Sequence, residues 1–126
     1  IYDKAAKLLY TVKGPDFYDP EFDINERKNG VVKVRDKTRK ACIKLRATSD
    51  EIWTLYSGEI VYPGNEDLNE LTYKNNKMLV FDWEGNFLRA YKLDIPIYNF
   101  CLDSENRIIY AATEENDNHI VSFEYN

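Results

Sequence analysis

One histidine and two cysteines are all that this 126-residue chain offers of the side chains most used to bind transition metals. The shortage removes zinc constellations built on histidine pairs. Cys42 and Cys101 lack metal-ligand spacing, and two thiols are too few to define a disulfide framework. Long apolar runs are missing as well. None approaches the roughly 18 residues of a membrane span, so no spanning segment is expected. The chain has no G-x-S-x-G elbow, no P-loop and no G-x-G-x-x-G, the common sequence signs of nucleophilic hydrolysis and phosphate binding. No catalytic residue, metal ligand or cofactor is therefore assigned. The opening IYDKAAKLLY carries neither a basic-then-apolar leader nor an initiator methionine, so the chain is expected to be the interior of a longer protein.

What is present favours a folded, β-rich protein: 44% apolar and 14% aromatic residues, with ten Tyr and six Phe. The net charge of −5 is unevenly spread. Between Glu26 and Arg46 nine basic residues face only two acidic ones, leaving the rest of the chain strongly acidic. A basic stripe can mark an anionic partner, but solvent-facing strands and a long loop produce the same pattern. Aromatics are not interleaved with it and no nucleic-acid motif accompanies it, so nucleic-acid binding is not expected.

The organising feature is an internal repeat. IYDKAAKLLYTVK (residues 1–13) lies on VFDWEGNFLRAYK (residues 80–92), and SFEYN (residues 122–126) lies on VFDWE (residues 80–84). A second match joins TSDEIWTLYS (residues 48–57) to SENRIIYAAT (residues 104–113), pairing Asp50 with Asn106 and Ile52 with Ile108. An ordered set of unlike strands thus recurs in the same order, once at a spacing of 42 residues. A period of roughly 40–50 residues fits a four-stranded propeller blade.

The expected fold is all-β: a partial β-propeller with one complete four-stranded blade flanked by two partial blades. Residues 1–13 form a C–D half-blade, 14–40 an inter-blade insertion, 41–93 the complete blade and 94–126 an A–B–C partial blade. Within the complete blade the strands are expected at 41–48, 51–57, 77–83 and 87–93, and in the last unit at 98–103, 107–113 and 119–125. The first unit contributes strands at 1–2 and 7–13. Residues 58–76 read as a long surface loop. The B strands, IWTLY and IIYAA, are apolar on both alternating faces, as strands sandwiched between blades should be. An open arc of blades exposes apolar faces, so self-association or further blades are expected to cover them.

Along the stretch from EIWTLYSG (residues 51–58) through MLVFDWEGNFLRAYKL (residues 78–93) to YNFCLDSENRIIY (residues 98–110), the sequence resembles the C-terminal blades of the bacterial TolB-like six-bladed propeller family. The resemblance implies a periplasmic, lipid-anchored or secreted bacterial protein. It carries no catalytic residues. The expected role is a non-enzymatic scaffold that binds a protein or small ligand; the alternative is part of a propeller hydrolase, lactonase or lyase whose site is completed by other blades.

Propeller ligands meet the ends of innermost strands around the central channel, which nominates Lys44, Arg46, Asn99 and Asp103. Polar residues facing a channel are also expected without any function. Cys42 and Cys101, on innermost strands, are expected to be buried free thiols, with a single disulfide as the alternative. His119 sits in a polar turn, where exposure is the ordinary outcome. Glu66, Asp67 and Glu70, and Glu114, Glu115 and Asp117, lack the alternation of a calcium loop and read as solvated acids. Trp53 is expected in the core, and Trp83 and Tyr125 are expected to pack between blades rather than stack on a sugar.

Overall fold

A computed structural model describes residues 5–9, 11, 22–25, 31–34, 39, 41–58, 75–115, 117 and 119–126. The described strands are β1 (Phe22–Asn25), β2 (Val31–Val34), β3 (Cys42–Ala47), β4 (Glu51–Tyr56), β5 (Asn75–Asp82), β6 (Phe87–Ile97), β7 (Asn99–Asp103), β8 (Ile108–Ala112) and β9 (Ile120–Glu124). They form a four-stranded antiparallel meander β3-β4-β5-β6, a three-stranded meander β7-β8-β9 and the pair β1-β2. The chain is a partial β-propeller: β3–β6 is the complete blade and β7–β9 a blade of three strands.

Local chemistry fixes each turn. Between β3 and β4 the Thr48 hydroxyl accepts hydrogen bonds from the Glu51 N–H at 3.0 Å and the Asp50 N–H at 3.3 Å. Between β5 and β6 Gly85 takes φ 87°, a left-handed position that glycine adopts without a Cβ penalty. There the Asp82 carboxylate accepts from the Asn86 backbone N–H at 2.7 Å and its side-chain amide at 2.8 Å. The β7–β8 turn repeats the device: Asp103 accepts from the Asn106 N–H at 3.0 Å and its side-chain amide at 2.8 Å.

The two meanders stack face to face. Pairing of Trp53 with Val80 and Leu55 with Met78 puts these four on one face of the blade. Pairing of Phe100 with Ala111 and Leu102 with Ile109 puts those on one face of the neighbouring sheet. Trp53, Leu55, Met78, Val80, Phe100, Ile109 and Ala111 form the main core together with Leu93 and Ile97, with Tyr91, Leu102, Val121, Phe123 and Tyr125 packed at its margin. Tyr56, Leu79 and Phe81, with Ile52 against them, form a second cluster on the blade's other face. β4 therefore buries consecutive residues Trp53 to Tyr56, the signature of a strand covered on both sides.

β8 departs from that pattern. Ile109 and Ala111 are buried while Tyr110 between them is 41% exposed. Its outward face meets no second sheet among the described residues, so the apolar IIYAA run is buried on alternate residues only. The thiols follow the same geometry. Cys42 and Cys101 are free and both exposed, contrary to the expectation of burial. Cys101 pairs with Tyr110 on the outward face of β7–β9, and Cys42 opens β3.

Other boundaries shift. The expected insertion at 14–40 contains the β1–β2 pair, in register Phe22↔Val34 through Asn25↔Val31. β5 starts at Asn75 and β6 runs to Ile97 because these two residues pair beyond an irregularity in the ladder. The rest of the loop assigned to 58–76, which is residues 59–74, and the strand assigned to 1–2 lie outside the described residues. Residues 10, 12 and 13 of the strand assigned to 7–13 lie outside them too, and among its other residues Leu8 forms an isolated bridge.

Candidate functional site

β3 and β7 are the first strands of their sheets, each paired on one side only, and they lie against each other. Their free edges form the inner margin of the blade pair. Arg46 crosses that margin. Its Nη2–H donates to Asn99 Oδ1 at 2.8 Å and its Nη1–H to the Leu45 carbonyl at 2.8 Å. The guanidinium carbon lies 5.6 Å from the centroid of the Phe100 ring, within cation–π range. Asn99 Oδ1 also accepts the Phe100 N–H at 3.0 Å, which orients the amide to receive the arginine. Two of the four nominated residues, Arg46 and Asn99, are thereby brought together.

Lys44 lies two residues before Arg46 on the same strand face and is exposed. Its carbonyl accepts the Thr54 hydroxyl at 3.0 Å. Asp103 stands at the opposite end of β7 from Asn99, about 13 Å away at strand rise. Hydrogen bonds from the Asn106 side chain and backbone hold its carboxyl below the ordinary aspartate range. Asp103 therefore belongs to the turn and not to the Arg46 cluster. Asp103→Ala is expected to lower the melting temperature slightly, as read by circular dichroism, and to leave ligand capture at Arg46 unchanged.

Beside Arg46 lies an open groove of about 310 Å³ lined by Arg46, Asn99, Phe100, Cys101, Tyr110, Ala111, Ala112 and Ile120. Its apolar walls come from the outward face of β7–β9, where Ile120 is 74% exposed. Cys101, Tyr110 and Ile120 were not nominated from sequence. Strand alternation could have found them, since Cys101 opposite Tyr110 and Asn99 opposite Ala112 share one face.

At the far end of the core sits a second polar–aromatic cluster. Arg89 donates to Glu51 through Nη1–H at 2.6 Å and Nη2–H at 2.9 Å, and through Nε–H to the Tyr91 hydroxyl at 2.8 Å. Trp53 Nε1–H donates to Glu51 at 2.9 Å. The indole stacks on Tyr91 at 5.5 Å and meets Tyr125 edge-on at 4.7 Å. The Tyr91 hydroxyl donates to the Asn126 carbonyl at 2.8 Å. The bonds from Arg89 hold the Glu51 carboxyl below the ordinary glutamate range despite partial burial, and burial pushes the Tyr125 phenol up. Every member has its partners, and the cluster ties the end of the three-stranded sheet to the blade.

Tyr125 thus packs between sheets as expected. Trp83 is 38% exposed, and its Nε1–H donates to the Ser49 carbonyl at 2.9 Å, joining two turns of the same blade. His119 is exposed. Among the described residues no group of three or more His, Cys, Asp or Glu side chains is placed to hold a metal ion. No helix among them is long and apolar enough to cross a membrane.

Comparison with curated proteins and with solved structures returns no match. A family model described as TolB-like 6-blade propeller-like matches residues 1–105. That span takes in the whole four-stranded blade and the strand that carries Asn99 and Asp103. The chain belongs to the TolB-like six-bladed propeller-like family.

Proposed function

We propose that this chain is a non-catalytic recognition part of a bacterial envelope propeller, presenting the inner edges of β3 and β7 to a protein or small ligand. The observation that carries the reading is Arg46. Among the described residues its guanidinium bonds only neutral partners, the Leu45 carbonyl and the Asn99 amide, so a positive charge stands at the inner margin with no carboxylate among those residues to offset it. Lys44 adds a second cation on the same strand face. Charge held in place by neutral hydrogen bonds is available to a ligand, whereas charge spent in an ion pair such as Arg89–Glu51 is not. The envelope location rests on the family alone.

Cys101 gives direct access to this edge because it is free, exposed and lines the groove. In the full-length protein carrying Cys42→Ser, a benzophenone attached at Cys101 is expected to cross-link a partner under illumination. Combined Lys44→Ala, Arg46→Ala and Asn99→Ala substitutions should abolish that product. An unchanged product in the triple variant, or turnover of lactone or glycan substrates by the same protein, would contradict the reading.

A further inference from the structure

Two cations, not one, stand on the inner edge of β3, and the ladder sets them side by side. We propose that Lys44 and Arg46 together hold one doubly negative oxyanion, a dicarboxylate or a phosphate monoester, at the central channel; the inference rests on the recognition role just given. β3 is irregular between Cys42 and Lys44. Before the irregularity Cys42 pairs with Tyr56; after it Lys44 pairs with Leu55 and Arg46 with Trp53. The extra residue therefore turns the thiol to the face of Tyr56 and leaves the cations in a row on the face of Trp53. Bulges re-aim side chains in this way and are over-represented next to active sites. Residues two apart on a strand stand about 7 Å from each other, within reach of a single ligand.

Access to the row does not depend on the outward face of β7–β9. Arg46 sits at the seam between two blades, where β3 meets β7, and innermost strands border the channel of a propeller however many blades it has. The guanidinium is held by the Leu45 carbonyl, the Asn99 amide oxygen and the Phe100 ring. All three are neutral, so the charge is fixed in place without being offset. Two of its five donors are used there, and an ammonium brings three more. Together they exceed the roughly four lone-pair sites of one carboxylate. Among the described residues no carboxylate bonds either cation; Glu51 is engaged by Arg89 in the other cluster. Two positive charges in a row match two negative ones. A monoanion leaves one of them unmet, and an apolar molecule leaves both. The guanidinium fork takes one pair of oxygens, and the ammonium acts as a point charge on the others.

Nuclear magnetic resonance titration of the intact isotope-labelled chain tests this, with succinate and inorganic phosphate as separate probes at mildly alkaline pH, where both are dianions. The Arg46 Nε–H and the Lys44 backbone N–H signals are expected to move along one binding curve. Acetate, at equal ionic strength, should need a concentration roughly tenfold higher or more, the weight of one lost charge-assisted hydrogen bond. Arg46→Gln and Lys44→Gln should each raise the half-saturating concentration of the dianion by a similar factor, and Lys44→Arg should keep most of the binding. An undisturbed Ile109 amide signal in each variant shows that the fold is kept. Binding of succinate alone assigns the dicarboxylate, and binding of phosphate alone the phosphate monoester. Acetate binding as tightly as the dianions, no shift with either dianion, or binding undiminished in both glutamine variants overturns the proposal. If neither dianion binds while the triple variant still loses its cross-linked partner, the dianionic ligand is overturned and the recognition role stands.

Discussion

Trp53→Ala is expected to lower the free energy of unfolding by about 3–5 kcal/mol, the cost of truncating a buried aromatic and leaving a cavity. The residue is fully buried in the middle strands of the blade. Its indole faces Tyr91 of its own sheet and Tyr125 of the neighbouring one, so the truncation opens the seam between the two sheets. A domain holds only about 5–15 kcal/mol in total, so the loss is a large share of the whole. Urea denaturation read by far-ultraviolet circular dichroism measures it. Trp53→Phe retains most of the ring and gives up the bond to Glu51 at 2.9 Å; a loss nearer 1–2 kcal/mol is expected. A midpoint unchanged by Trp53→Ala would mean the two sheets do not share this core.

Glu51 is expected to contribute about 1–2 kcal/mol at neutral pH through its two bonds from Arg89, less than a fully buried pair because both side chains are partly solvated. The arginine bonds hold the Glu51 carboxyl below the ordinary glutamate range, with the indole N–H of Trp53 adding in the same direction. A carboxylate depressed in the folded state binds fewer protons there than in the unfolded chain. Its contribution is therefore complete above the unfolded pKa of about 4.3 and fades as pH falls through the lower folded value. Asp82 and Asp103 are depressed too, by their turn asparagines, so the acid sensitivity of the native protein is a sum. The difference between native protein and Glu51→Gln isolates one carboxylate. That difference should be constant from pH 7 to pH 5 and shrink below pH 4. A difference that stays flat into acid would show that Arg89 does not hold the carboxylate in solution.

The topology was legible because a repeat of unlike strands constrains more than the periodicity of any one of them. IWTLY and IIYAA marked the second strands, and Glu84-Gly85-Asn86 marked a hairpin turn where Gly85 does take a left-handed φ. Burial was less legible. Both second strands read alike, yet Thr54 between two core residues of β4 is buried and Tyr110 between two core residues of β8 is exposed. The difference lies in what covers each outer face, and a strand's own sequence does not encode that. The cysteines show the same limit, since alternation places Cys101 on the outward face and no local signal says that the face is open.

At the candidate site, position along an innermost strand was enough to find Arg46 and Asn99. It was not enough to separate them from Asp103, whose three-residue spacing to Asn106 serves a turn. Alternation within each strand assigns Cys101, Tyr110 and Ile120 to one face, but the register that brings the three strands' residues together is set only on folding. Trp83 makes a contact that the alignment did not indicate. Its alignment with Tyr125 is genuine in sequence, but its indole N–H turns to the Ser49 carbonyl within the blade.

The geometry that creates the inner edge is the stacking of β3–β6 on β7–β9, and a nuclear Overhauser spectrum of the isotope-labelled chain tests it directly. Contacts from the Trp53 indole to the Tyr125 ring, and from the Arg46 side chain to the Phe100 ring, are expected together. Trp53 contacts confined to β5 and β6, with none from Arg46 to Phe100, would contradict both the stacked blades and the site they build.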